Sequence, residues 1–342
     1  MRRRLPRLLP TRGHGSAWTR VLENRDEAPS PRGDRVLVAG WFTWNDTHAT
    51  AGDLLARDVA CDWLHHAGRS YDVANAPRFG TGVDWTKVDP TSYSEVVFVC
   101  GPVTRNSTRL ADLLGRFGGS RHIGLDLTMV EPPTSWNPFD LLYERDSPRS
   151  ARPELAFVSR EPAVPILGVI LVEPYPPEYP DQDMQREARE AAHRLAGSRP
   201  AARVQIDTRL DANTTELLSA SEVESLIARM DAVVTTRLHG LVLAVKNGVP
   251  AVAIDPVAGG SKIVKQAKVI GWPVVRSAEV LDDQDLSDAL DFCLSEEGRT
   301  AARACAERAA TQLETLRAEF ISALDNDTAS AAAGRSRVSD PC

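Results

Sequence analysis

No stretch of this 342-residue sequence is long and apolar enough to span a bilayer. The longest apolar run, "AVPILGVILV", has the length of a strand. A basic excess is also missing. Forty Lys and Arg face 47 Asp and Glu, a formal net charge of −7, which weighs against a nucleic-acid partner. Cysteine is sparse and unpatterned: Cys61, Cys100, Cys293, Cys305 and Cys342 form no CxxC spacing. That usage suits a reducing cytoplasm better than a disulfide framework or a zinc site. His48, His65, His66 and His122 show no metal-ligand spacing either, so no metal is expected. No repeat of solenoid period is visible. The opening "MRRRLPRLLPTRGHG" is basic but has no apolar signal-peptide core. Residues 1–32 are therefore expected to be a disordered leader or an over-long start, and the small, polar stretch 327–342 a disordered tail.

Between those ends, 42% apolar and 25% charged residues are ordinary globular values, enough for real cores. The length suggests two domains. Short apolar runs, "RVLVAG" (35–40), "SYDVAN", "EVVFVCGP" (95–102) and "HIGLDLTMV" (122–130), read as strands. Helical patterns, "AGDLLARDVACDWLHHAG" (51–68) and "TRLADLLGRFG", alternate with them. The scheme restarts near residue 163 with "AVPILGVILV", a helix over 183–197 and a strand in "ARVQIDT". Next comes a helix over 219–230, with Ser221 and Glu224 at capping-box spacing. "SKIVKQAKVIG", "PVV" and two helices over about 282–325 close it. The expected fold class is α/β: two Rossmann-like doubly wound parallel-sheet domains, 33–162 and 163–326. Their strand C-termini are expected to face a shared cleft, where ligands of such sheets bind.

The most informative stretch is "DAVVTTRLHGLVLAVKNGVPAVAID" (231–255), a buried strand, a turn, a helix and a second buried strand. Thr235 or Thr236 is positioned to cap the helix, which places Arg237, Leu238 and His239 in its first turn. Free N–H groups and the positive end of the helix dipole make that turn an anion site. A cation there is disfavoured unless an anion joins it. Arg237 thus implies a negatively charged ligand, a phosphate or a carboxylate gripped bidentately. His239 suits a proton donor or acceptor or a hydrogen-bonding role, and Gly240 permits close approach. The plainer alternative pairs Arg237 with a surface acid and packs His239 in the core.

At these residues the sequence resembles the polysaccharide pyruvyltransferase family, which carries Arg-Leu-His between a buried strand and a helix, followed by an apolar strand and a lysine. Here those features are Arg237-Leu238-His239 and Lys262 of "GGSKIVKQAKVIGWP". Gly52-Asp53 and Arg145-Asp146 match two further pieces, so the resemblance runs over roughly residues 35–275. It implies a GT-B-like fold, with the acceptor on the N-terminal domain and the donor, phosphoenolpyruvate, on the C-terminal one. It also implies transfer of an enolpyruvyl unit to sugar hydroxyls as a pyruvate ketal, a step of exopolysaccharide biosynthesis. Phosphoenolpyruvate is then a substrate, and no cofactor is implied. On this reading Arg237 and Leu238 help bind the donor, with Lys262 and Arg145 as further cations. His239 handles a proton or orients the donor carboxylate, and Asp53 is the base facing the acceptor. The acceptor is a saccharide or lipid-linked saccharide, reached by a cytoplasmic enzyme with no integral membrane segment. For Asp53 the alternative is a helix cap, for Lys262 a solvated helix start, and for Arg145 an ion pair with Asp146 or another acid. The first loop, "GWFTWNDTHATAGD", is longer and more aromatic than the family's and lacks the Asn before Gly-Asp. A nucleotide-sugar glycosyltransferase or epimerase, or a non-catalytic ligand-binding relative, is the alternative function.

Overall fold

Apolar segments buried on both faces dictate the frame, because such segments are stable only as inner strands of a sheet covered by helices. The computed structural model describes residues 31–172 and 180–335 together with Trp18 and Val21, with side chains through Leu324. The chain divides into two units, Met1–Pro162 and Ala163–Cys342. Each is a Rossmann-like α/β unit built on a parallel five-stranded sheet.

In unit 1 the strands are β1 (Arg35–Gly40), β2 (Tyr71–Val73), β3 (Tyr93–Val103), β4 (Arg121–Met129) and β5 (Leu141–Glu144), in the order β2-β1-β3-β4-β5. Successive residues of β1 and β3 feed opposite faces, as strand geometry requires. Leu37, Ala39, Val96 and Phe98 enter one core, and Val36, Val38, Val97 and Val99 the other. Helix α1 (Ala51–His66) follows β1, and α2 (Thr108–Arg116) follows β3. A short antiparallel pair, β6 (Asp146–Ser147) and β7 (Ser150–Ala151), leads toward the end of the unit. Two residues of the expected leader depart from that expectation. Trp18 and Val21 are buried in the first of these cores, and the Trp18 indole donates to the Arg105 carbonyl at 2.5 Å and meets Trp136 edge-on. The remainder of residues 1–30 lies outside the described residues.

Unit 2 repeats the plan with β8 (Ile166–Ile170), β9 (Ala202–Gln205), β10 (Ala232–Thr235), β11 (Ala251–Asp255) and β12 (Val275–Ser277). Their order is β12-β11-β10-β8-β9. Around them lie α3 (Gln185–Gly197), α4 (Ala220–Ile227), α5 (Leu238–Lys246), α6 (Lys262–Ile270), α7 (Asp283–Leu294) and α8 (Glu296–Arg335). In both units the first strand of the unit lies between the second and the third. The strand order therefore reverses there, and the crevice beyond the carboxyl ends of the first and third strands is the natural ligand site. In unit 2 this switch point lies between β8 and β10.

Three local expectations are corrected. The capping box of α4 is Ser219 with Glu222, not Ser221 with Glu224, because Ser219 is the last residue with extended backbone. Glu224 instead pairs with Lys246 of α5. The last strand is Val275–Ser277 rather than "PVV". Helix α8 continues through Arg335, into the expected tail; Ala302 and Cys305 are its buried anchors, whereas Leu313, Leu316, Phe320 and Leu324 are exposed. Among the described residues, no helix is long and apolar enough to cross a membrane.

Gly240 fixes how closely α5 packs on the switch point. A β-carbon there would lie 2.2 Å from Thr235 Oγ1 and 3.0 Å from Ile170 Cγ2. Gly240→Ala should therefore push α5 off the sheet and cost about 1–3 kcal/mol of stability. A denaturant midpoint unchanged from wild type would contradict that packing.

Candidate functional site

Strand β10 ends at Thr235, beside the end of β8. The Thr235 hydroxyl donates to the Ile170 carbonyl at 2.8 Å and accepts the Arg237 N–H at 3.0 Å. Thr236 Oγ1 accepts the Val172 N–H at 2.9 Å. The two threonines thus stitch the ends of β8 and β10 together instead of capping α5. Arg237 is itself the N-cap, with extended backbone (φ −113°, ψ 140°) and no side-chain cap bond. Leu238 and His239 are the first two helical residues, which shifts the expected register by one position.

This placement turns the Arg237 side chain into the switch point. Its Nε donates to the Leu171 carbonyl at 2.7 Å. Its Nη2 lies 3.7 Å from Asp207 Oδ1, too far for a hydrogen bond. The side chain is only 13% exposed, and Nη2 is buried with no hydrogen-bond partner among the described residues. A buried, unsatisfied guanidinium donor is costly, on the order of 1–3 kcal/mol, so its persistence calls for an acceptor that joins it.

A cavity of about 240 Å³ lies alongside, lined in part by Thr236, Arg237, Leu238, His239, Ser261 and Lys262. Leu238 also packs against the unit 2 core, and His239 is exposed on the cavity side of the helix start. Lys262 is the first residue of α6 and is exposed. Four sequence-derived candidates, Arg237, Leu238, His239 and Lys262, therefore line one cavity. Its volume is below that of typical drug-sized sites and suits a small ligand.

Two carboxylates that the sequence did not single out organise this cavity. Asp255, fully buried at the end of β11, accepts the Ser261 and Val264 N–H groups on Oδ2 at 2.8 and 3.1 Å, and the Val257 N–H on Oδ1 at 3.1 Å. Ser261, the N-cap of α6, makes no side-chain cap bond, so Asp255 takes that role and thereby places Lys262. Asp255→Ala should cost about 1–3 kcal/mol by stranding those donors. A wild-type melting temperature in that variant would remove the capping role.

Asp207, just after β9, is the second. Its oxygens accept the Arg209 and Thr214 N–H groups at 3.0 and 3.1 Å. Burial pushes its carboxyl up, but those N–H bonds and the nearby Arg237 guanidinium outweigh it and hold the group below the ordinary carboxylate range. The sequence signal common to both is an acid at the carboxyl end of a strand, in "VQIDT" and "AVAID".

Asp53 and Arg145 lie in unit 1, around a different cavity of about 640 Å³ that also meets Trp41, His48, Cys100 and Glu154. Asp53 caps α1: its Oδ2 accepts the Thr50 N–H at 2.7 Å and the Thr50 hydroxyl at 2.8 Å. Arg145 is enclosed by acids. Its Nη1 is 3.4 Å from Glu154 Oε1 and 4.0 Å from Asp126 Oδ2, and its Nε is 3.9 Å from Asp146 Oδ2. Both side chains thus adopt the structural alternatives, cap and ion pair.

Cys100 Sγ, Asp126 and Glu154 bring ligand atoms within 4.8 Å of one another, but Arg145 Nη1, 3.4 Å from the sulfur, supplies the positive charge there. Burial, with Asp53 close by, pushes the Cys100 thiol up to about 12, which keeps it protonated and a poor nucleophile near neutrality.

Residues 122–256 match the model of the polysaccharide pyruvyl transferase family. The match contains Arg145, Asp207 and the Arg237–His239 junction; Gly52-Asp53 and Lys262 fall outside it. No curated protein matches the chain. Solved structures with a similar course include the calicheamicin glycosyltransferase CalG4, at 13% identity over 83% of this chain and 98% of that one, with a TM-score of 0.31. The spinosyn rhamnosyltransferase SpnG is similar at 12% identity over 83% of this chain and 100% of that one, also with a TM-score of 0.31.

Proposed function

We propose that the protein is a pyruvyltransferase that takes phosphoenolpyruvate in the unit 2 cavity and transfers its enolpyruvyl unit to sugar hydroxyls, closing a pyruvate ketal. The observation that carries this reading is the buried Nη2 of Arg237, unpartnered among the described residues, beside a cavity shared with His239 and Lys262. Phosphoenolpyruvate presents a phosphate and a carboxylate on a three-carbon frame. Two cations and the open end of α5 offer compensation for both anions, and charge fixed in place before the reaction usually contributes most to catalysis of this kind.

Arg237 holds the phosphate or the carboxylate, and Lys262 neutralises the other. Ketal formation needs a proton delivered to the methylene carbon, attack of a sugar hydroxyl on the resulting cationic centre, and departure of phosphate; a second hydroxyl closes the ring. His239, at the cavity wall, is the group for the proton. Arg145, whose charge is already met by acids, is left out of the donor site. The acceptor is a saccharide, free or lipid-linked.

The test is to incubate the protein with phosphoenolpyruvate and a panel of saccharide acceptors, and in parallel with UDP-sugars and the same panel. Acceptor-dependent phosphate release and a mass gain corresponding to a ketal are expected. Release of UDP without phosphate release would replace this reading with glycosyl transfer.

A further inference from the structure

The geometry points to Asp207 as a positioning residue that sets the Arg237 guanidinium for an anion in the unit 2 cavity. This inference rests on the reading that the cavity takes an anion, and it adds a residue from outside the strand–helix junction that carried that reading.

Asp207 is 5% exposed, and its 3.7 Å approach to Arg237 is an ion pair without a hydrogen bond. Its carboxylate has a seat of its own: Oδ1 accepts the Arg209 N–H and Oδ2 accepts the Thr214 N–H and hydroxyl. The Asp207 N–H and carbonyl are bound in turn by Thr215 Oγ1 at 3.2 Å and by the Asn213 amide at 2.9 Å. The carboxylate is thus a fixed point, stationed by the loop after β9 before any ligand arrives.

Arg237 is seated differently. Its guanidinium has one close bond, Nε to the Leu171 carbonyl, and one longer electrostatic tie, Nη2 to Asp207 Oδ1 at 3.7 Å. A bidentate Arg–carboxylate pair would use up the fork that an anion needs. The spacing here does something else. It compensates a buried positive charge and limits rotation about the Nε bond, yet leaves Nη2 without a hydrogen bond. The next residue, Thr208, lines the cavity itself, so the loop that stations the carboxylate also reaches the ligand space. Two effects of removing the carboxylate oppose each other. A bare guanidinium attracts an anion more strongly, but a guanidinium free to swing loses the aligned donor. Charge-assisted hydrogen bonds depend on alignment, and Asp207→Asn would turn an NH2 group against one of the backbone donors from Arg209 or Thr214, loosening the loop. The loss of alignment outweighs the gain in bare charge.

The experiment is a double-substitution cycle read by calorimetric binding on the full-length protein, with phosphoenolpyruvate and, separately, inorganic phosphate as probes. Asp207→Asn is expected to weaken binding about tenfold, which is about 1.4 kcal/mol. In the Arg237→Ala background the same change is expected to have no further effect, because Asp207 acts through Arg237. A KM raised with kcat unchanged would accompany it. Binding unchanged or tighter in Asp207→Asn, or an equal loss in both backgrounds, would overturn the inference; an equal loss would mark Asp207 as purely structural. If the wild type binds phosphate but not phosphoenolpyruvate, the donor assignment falls while the cycle is still read with phosphate. If it binds neither, the positioning role falls with the anion site.

Discussion

Arg237→Ala is expected to lower the affinity for phosphoenolpyruvate about a hundredfold, close to 2.7 kcal/mol, while the chain still folds. The size follows from what is lost: a charge-assisted donor in a buried setting, where truncating one partner costs about 2–5 kcal/mol. The fold survives because the side chain supports no core packing. It hangs from the Leu171 carbonyl at the edge of the cavity, and the strand ends are joined by Thr235 and Thr236. Although the unsatisfied Nη2 donor goes with the side chain, some stability is lost, since Asp207 would be left without its guanidinium. Its bonds from Arg209 and Thr214 limit that loss to about 1–3 kcal/mol. Arg237→Lys sharpens the result. It keeps the charge but not the planar fork, so an affinity restored in full would mean that charge alone matters. Isothermal calorimetry with circular dichroism on each variant makes the check, and wild-type affinity in Arg237→Ala would remove the residue from the site.

His239→Asn is expected to reduce turnover by about 10²–10⁴-fold, the range for loss of a general acid or base. Donor affinity should change far less, because Asn retains a hydrogen-bonding side chain at the same helix start. The side chain is exposed, so the melting temperature should stay near that of wild type. Acceptor-dependent phosphate release, compared with calorimetric affinity, separates the two effects. Turnover at the wild-type rate would end the proton-transfer assignment, and a parallel loss of affinity and turnover would recast His239 as a donor ligand.

The sequence revealed most about the frame and least about what steadies the site. Buried strands such as Val96–Val99 and Ala232–Thr235 announce themselves because a segment covered on both faces must be apolar along its length. The Arg237–His239 junction stood out for the opposite reason, as two polar side chains set where an apolar strand hands over to a helix. Which residue caps that helix was not legible. A threonine beside a helix start looks the same whether its hydroxyl turns to the helix or, as in Thr235, to the neighbouring strand. The roles of Asp207 and Asp255 were hidden too. Each acts across a loop or between strands distant in sequence, and an acid after an apolar run has no signature of its partner. Asp53 and Arg145 have partners that motif matching does not show. Their residue types fit a site, but Thr50 and the acids around Arg145 engage them in ways that only the folded chain displays.

The most direct test of the anion site is a crystal structure of the protein soaked with phosphoenolpyruvate at saturating concentration. An anionic group of the ligand is expected within about 3 Å of the Arg237 guanidinium, with Nη2 as one of its donors and His239 and Lys262 alongside. A guanidinium closed onto Asp207 with no ligand beside it, or phosphoenolpyruvate bound in unit 1 next to Arg145, would refute that assignment.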